Sequence, residues 1–309
     1  MIIVVAVALA AGWWLLKPQS QSRPPRNATA AISEASAVPP TQTPTPEPAQ
    51  TESANPPPSS AATSTLPPSS SPSPSVPRAT TTNAPSNARL ALIVDDCGQW
   101  IDTERGFLAL DIPLTMSVLP DVHYTTTIAR EAAGAGKGVM LHLPMETVSG
   151  LDPGPGKVTT EMSDAQIDAQ VEGDLAQIPQ AQGVNNHEGS KGSADPRVMR
   201  DVVGVLAKHG DLFFVDSRTS TASVGEQSAQ AAGIPTAARD VFLDNQASMA
   251  YTEAQLRAAA AIAKRNGTAI AIGHPHATTL AAVRALIPEL EADGVQFVLA
   301  QDLVSTPSR

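Results

Sequence analysis

The chain holds one cysteine in 309 residues, so no internal disulfide can staple it. A domain of ordinary size does not need one, even outside the cell. Cys97 itself stands beside two carboxylates, which disfavour a thiolate. It reads as a small packing residue rather than a nucleophile. An excess of positive charge is missing too. The formal net charge is −10, and residues 1–88 carry four basic and three acidic side chains, which leaves −11 on residues 89–309. That balance argues against nucleic acid, and against anionic lipid as the main partner of the C-terminal part. No internal repeat is visible. No glycine-rich phosphate loop follows the first apolar strand, which argues against a dinucleotide-binding open sheet.

What is present divides into three parts. Residues 1–17 are almost wholly apolar up to Lys17 and read as a signal anchor or a signal peptide. The apolar stretch is shorter than the roughly 20 residues of a comfortable span. No clean small-x-small cleavage site lies near Leu16, and this favours the anchor. Residues 18–88 hold 17 of the 28 prolines, mixed with Ser, Thr and Ala. Such a stretch buries too little apolar surface to offset its ordering entropy and reads as a disordered linker. Residues 89–309 have the composition of one α/β domain with a large core. The expected location is the periplasm, tethered to the inner membrane through the N-terminal segment alone, or released there if that segment is cleaved.

From Arg89 onward, apolar strands alternate with helical patterns. Strands are expected at 90–95, 114–119, 138–143, 183–186, 212–216, 236–243, 268–273 and 295–299. Helices are expected at 101–109, 124–133, 163–177, 196–208, 223–232, 252–266 and 278–292. Ser163 reads as a cap, and Asp195 as a cap with Pro196 at the first helical position. Repeated β-α units with short loops imply a parallel sheet, and seven or eight of them imply a closed or nearly closed (β/α) barrel.

The strand ends carry the chemistry. The first strand, LALIVDD, stops at Asp95 and Asp96, followed by Cys97 and Gly98. Either aspartate would also serve as a cap for the next helix. Later ends bring His142; then Asn185, Asn186 and His187; then Asp216 and Arg218; then Arg239, Asp240, Asp244 and Asn245; then His274. Recurrence of such groups at one end of a parallel sheet points to a concave polar site. Asp96, His142 and His187 form a carboxylate and two imidazoles suited to a divalent metal, zinc first, with a position left open for water. Asp95 would then accept a proton from that water, and His274 would protonate a leaving group. Each residue also has a plainer reading. A lone buried histidine is usually a hydrogen-bonded core group, and His187 follows two turn-forming asparagines. Asp216 with Arg218, and Arg239 with Asp240, would also serve as ion pairs holding loops. Glu146 and Glu188 lie near the histidines in sequence and read as partners standing behind them. His209 reads as a helix-end cation, and His123 and His276 as solvent-facing.

The phrases IVDDCG, PLTMSVLP, MLHLPME, GVNNHEGS, FFVDSRT, ARDVFLDN and AIGHP occur in this order between Arg89 and Val304. Together they resemble the divergent polysaccharide deacetylase family, a relative of the metal-dependent polysaccharide deacetylases. The resemblance implies a distorted β/α barrel, with Asp95 as catalytic base, Asp96 as a metal ligand and His274 as the histidine that assists the leaving group. The better-known relatives take two ligands from a His-x-x-x-His motif. Here His142 is followed at the fourth place by Glu146, and His187 is the substitute ligand. Glu146, Asn186, Asp216, Arg218, Arg239, Asp240 and Asp244 are expected to touch substrate or to stand behind the ligands.

Two functions follow. One is a metal-dependent hydrolase that removes acetyl groups from a cell-envelope polysaccharide such as peptidoglycan. The other is a catalytically silent module of the same fold that binds an envelope glycan or protein, motivated by the missing second histidine. Phosphate chemistry is weaker, because the site end is acidic and has few lysines.

Overall fold

The computed structural model describes residues 88–306. The expected anchor at 1–17 and almost all of the expected linker at 18–88 lie outside the described residues. No helix among the described residues is long and apolar enough to cross a membrane.

Among the described residues, nine strands form one parallel sheet. They are β1 (Ala88–Cys97), β2 (Thr115–Val118), β3 (Gly138–Met145), β4 (Gly183–Glu188), β5 (Phe213–Asp216), β6 (Thr236–Ala238), β7 (Val241–Phe242), β8 (Thr268–Gly273) and β9 (Val295–Val298). Seven helices alternate with them: α1 (Ile101–Leu108), α2 (Thr125–Gly134), α3 (Asp164–Gln177), α4 (Pro196–His209), α5 (Gly225–Ala231), α6 (Met249–Asn266) and α7 (Ala277–Ala292). The order across the sheet is β6-β5-β4-β3-β2-β1-β8-β7, with β9 also paired to β1. Strand β1 pairs with β9 along Ala88–Ala91 and with β2 farther on, while β8 runs along its other edge.

The strands are apolar throughout because both faces are covered. In β1, Leu90, Leu92 and Val94 face the helices, and Ala91 and Ile93 face the inside of the curl. The inner core is small: Met140, Phe213, Val215, Ile270, Ile272 and Val298 join Ala91 and Ile93. The C-terminal tail stops its lower end. Ala300 joins the inner core, Leu303 and Val304 pack against it, and Ser305 exchanges backbone hydrogen bonds with Thr236.

The sheet departs from expectation in one place. The sequence predicts one strand over 236–243 and a closed or nearly closed barrel of seven or eight strands. The structure has nine strands curled into a half-barrel, because that segment is split. Its first part pairs with β5 and its last part with β8, and no ladder joins β6 to β7 among the described residues. Arg239 and Asp240 make the crossing. The Arg239 N–H donates to the Asp216 carbonyl on one side, and the Asp240 N–H to the Ile270 carbonyl on the other.

The expected caps hold. The Asp195 carboxylate accepts from the N–H groups of Arg197 and Val198, with Pro196 at the first helical position. Before α3, the Ser163 N–H donates to the Gln166 side chain at 2.9 Å.

One buried group carries a cost. Asp174 is fully buried on α3, with Gln170 on one oxygen and no hydrogen-bond partner on the other. Burial, with the charge of Asp121 adding to it, pushes its carboxyl up from 3.8 to about 7. A carboxyl raised on folding contributes stability in full below its unfolded pKa, and that contribution is lost as pH rises through about 7. Asp174→Asn is therefore expected to stabilise the fold at pH 8 by on the order of 2 kcal/mol, with the gap closing toward pH 4. Urea unfolding of both chains at pH 4.5 and pH 8 checks this, and a gap that does not change with pH refutes it.

Candidate metal centre

Alternation along a strand puts Ala91, Ile93 and Asp95 on the inner face and would turn Asp96 outward. A β-bulge prevents that. Val94 pairs with Met116 and Cys97 with Val118, so Asp95 and Asp96 together stand opposite one residue of β2. Asp96 takes a left-handed backbone, φ +57°. Its side chain swings to the same side as that of Asp95. Gly98 follows at φ +111°, where a Cβ would meet Val122 at 2.7 Å. The cap reading of the pair fails. The N–H groups of Gly98, Gln99 and Trp100 all donate to Oε1 of the buried Glu104, at 2.8–3.0 Å.

The remaining groups arrive by alternation. His142 follows Met140 on the inner face of β3. Asn185 lies in register with His142, and His187 is two residues beyond it. Asp96 Oδ1 lies 3.1 Å from His142 Nε2 and 2.9 Å from His187 Nδ1, and the two ring nitrogens are 3.1 Å apart. Despite these distances, Asp96 Oδ1 is buried with no hydrogen-bond partner. The His142 Nδ1 to Asn185 Oδ1 contact of 2.9 Å assigns a ring hydrogen to Nδ1 and turns Nε2 toward Asp96 and His187. Three potential ligand atoms thus converge on one another. Bonds of about 2.0–2.1 Å to a tetrahedral ion would place such atoms about 3.3 Å apart. The donor set therefore fits a small divalent cation.

Electrostatics separates the two aspartates. Burial raises the Asp95 carboxyl, and this outweighs the opposing pull of His142, His274 and Asn185. Burial acts on Asp96 as well, but its contacts with His142 and His187 hold it far below the usual carboxylate range. Asn185 ties the pair together. Its Nδ2 donates to Asp95 Oδ1 at 2.8 Å and to Ser217 Oγ at 3.1 Å, and its Oδ1 also accepts from Ser117 Oγ. His274 Nδ1 is 2.9 Å from Asp244 Oδ1, and its Nε2 faces Asp96 Oδ2 at 3.9 Å. Burial lowers the His274 pKa, but Asp244 and the nearby aspartates override it and raise it to about 9. Asp244 Oδ2 takes the His274 N–H and the Thr279 hydroxyl.

Asp95, Asp96, His142, His187, Ser217 and His274 line a cleft of about 440 Å³, together with Asn186, Arg218, Arg239 and Phe242, while Asn185 and Asp244 stand behind the lining. Not every expected residue reaches it. Glu146 is drawn into a loop clamp with Thr160 and Lys191; burial pushes its carboxyl up, but these partners together override it and hold it down at about 2. Asp216 faces α5, where its carboxylate accepts from the Arg218 N–H, the Ser223 hydroxyl and the Glu226 N–H. Neither expected ion pair forms. The Arg218 guanidinium pairs with Glu226, and that of Arg239 donates to the carbonyls of Ser217 and Arg218 while stacking on Phe242 at 4.6 Å. Asp240 accepts the Ile270 N–H and stands outside the lining. Asn186 accepts the Ser217 N–H. His209 pairs with Glu172, and His123 is exposed.

Sequence reasoning assigns a role to Asn186 and none to Asn185, Ser117 or Ser217. Counting back by two from His187 reaches Asn185, and counting on by two from Val215 reaches Ser217. Asn185→Leu would leave Asp95, His142 and two hydroxyls without their partner. It is expected to cost about 2–4 kcal/mol in urea unfolding of the metal-free chain. Unchanged stability would refute the role given to Asn185.

A model of the divergent polysaccharide deacetylase family matches residues 92–304. The chain is 33% identical over 214 residues to an uncharacterized protein of Haemophilus influenzae, covering 69% of this chain and 75% of that protein. It is 32% identical over 219 residues to the uncharacterized protein YibQ of Escherichia coli, covering 71% and 68%. The crystal structure of an uncharacterized protein from Agrobacterium tumefaciens C58 has a similar fold, with a TM-score of 0.67 and 24% identity. The match covers 72% of this chain and 91% of that one.

Proposed function

The chain belongs to the divergent polysaccharide deacetylase family, and on that premise we propose that it is a metal-dependent hydrolase removing acetyl groups from a cell-envelope polysaccharide. One observation carries this reading. The buried, unbonded Asp96 Oδ1 lies 2.9 and 3.1 Å from two imidazole nitrogens, and a second carboxylate stands beside it on the same bulge. Asp96, His142 and His187 would hold the ion, and two nitrogens with one oxygen suit zinc. When bound, such an ion lowers the pKa of water and draws charge from an acyl oxygen.

The chain's own groups divide the proton transfers. Asn185 occupies Asp95 Oδ1, so Oδ2 is the oxygen left to accept a proton. The raised pKa of Asp95 makes it a better base than an exposed aspartate. His274, held through Nδ1 by Asp244, offers its Nε2 proton to the departing amine or alcohol. Asp95 and His274 thus divide the roles of base and acid between them. The apolar residues 1–17 and the proline-rich stretch after them support an envelope location, where the polymer is.

A silent binding module was motivated by Glu146 standing in the place of the second histidine. That ground weakens here, because His187, 2.9 Å from Asp96, would take the third position and Glu146 serves a loop.

The metal-stripped chain is expected to take up one equivalent of zinc, and Asp96→Ala or His142→Ala to abolish uptake, as measured by metal analysis after gel filtration. The loaded chain should release acetate from N-acetylchitooligosaccharides or peptidoglycan fragments. Asp95→Asn should lower kcat by about 10²–10⁴ while keeping the zinc. A wild-type chain without metal and without acetate release overturns the proposal.

The pH profile tests His274 separately. The acid form persists up to about pH 9, so kcat/KM should fall as pH rises through about 9. Asp244→Asn removes the charge that holds the proton and should move this limb down toward the ordinary histidine range near about 6.5. An alkaline limb at the same pH in both chains rules out His274 as the acid.

A further inference from the structure

We propose that Trp100 is a sugar-stacking platform that seats the pyranose ring next to the acetylated one, so that the site selects a polymer over a single sugar. This rests on the deacetylase reading of the Asp96 centre.

Trp100 is 46% exposed, although it opens α1, whose buried side chains are Glu104 and Phe107. Loose backbone does not explain the exposure. The Trp100 N–H is held by the buried Glu104 carboxylate at 2.8 Å, with those of Gly98 and Gln99 beside it. A firm loop therefore presents a large apolar ring to water. The ring is continuous with the site. Trp100 meets His276 edge to face, with centroids 6.5 Å apart. His276 stacks on His274 at 5.7 Å, and His274 on Phe242 at 5.3 Å. A row of flat side chains thus leads from the rim to the proton donor. The other exposed large apolar side chains among the described residues follow strand ends too: Val148 and Leu151 come after β3, and Met249 after β7. The solvent-facing apolar groups therefore gather on the face where the cleft opens.

A pyranose ring matches such a surface. One of its faces is lined by C–H groups that carry partial positive charge, and it lies well on the electron-rich face of an indole. Its hydroxyl rim stays in water. Trp100 stands two ring contacts from His274, beyond the sugar whose acetyl group lies at Asp96 and within reach of that sugar's neighbour.

The test uses the full chain. Trp13→Phe with Trp14→Phe leaves Trp100 as the only tryptophan. Its emission should change on titration with N-acetylchitotetraose and stay constant with N-acetylglucosamine. Trp100→Ala should lower kcat/KM for the tetramer by about tenfold to a hundredfold. It should leave hydrolysis of a small aryl acetate unchanged, and Trp100→Phe should keep most of the tetramer activity. An emission change without acetate release keeps the platform and removes the hydrolase reading. Acetate release with the same tetramer preference in Trp100→Ala keeps the hydrolase and removes the platform. Loss of aryl acetate hydrolysis in Trp100→Ala that Trp100→Phe does not restore would make Trp100 a support for the loop, which also overturns the platform. So would an emission unmoved by both the tetramer and peptidoglycan glycan strands.

Discussion

The site depends on two neighbouring residues pointing the same way, which a regular strand forbids. Asp95 reaches the inner face by alternation, and Asp96 reaches it because the bulge and a left-handed backbone turn it there. A left-handed backbone is costly for a residue with a side chain, though less so for aspartate than for most. The surroundings fix it. Cys97 is back in register with β2, and Glu104 collects the three N–H groups that follow, from Gly98 to Trp100.

Once the two carboxylates share a face, their environments divide them. Asp96 meets two imidazoles and stays ionised, while Asp95 meets an amide and the interior and holds a proton more readily. Carboxyls pushed in opposite directions are a common mark of divided acid-base roles. Asn185 enforces the division from behind, since one amide serves both Asp95 and the ring of His142. His274 and Asp244 repeat the pattern just after β8 and in the segment after β7, where a carboxylate fixes one ring nitrogen and turns the other toward the cleft.

Much of this was legible in the sequence, and the exceptions share a cause. The strands could be read because both faces are buried, which leaves continuous apolar runs such as Leu90–Val94. Asp96, His142, His187 and His274 stood out because each sets, within or just after a strand, a group that a core does not tolerate unpaired. The break at Arg239 and Asp240 could not, because it is set by which edge each half of the segment pairs with. Asp216 and Arg218 suggested a salt bridge by nearness. Their parity sends Asp216 to the helix side, where backbone N–H groups claim its carboxylate. Asn185 stayed without a role for the reverse reason. It has the parity of the site and an uncharged side chain, so nothing set it apart from Asn186 until the register of β3 and β4 was known.

The place of β1 in the sheet also bears on how the chain reaches this state. Its partners β8 and β9 come from the far end of the sequence, so its first half pairs only with segments made last. During synthesis β1, with its apolar run Leu90–Val94, has an open edge until residues 268–298 emerge. Contacts of such long sequence separation slow folding and expose strand edges to other chains. The strand that carries both aspartates is thus among the last to be enclosed, and an unfinished chain holds no completed site.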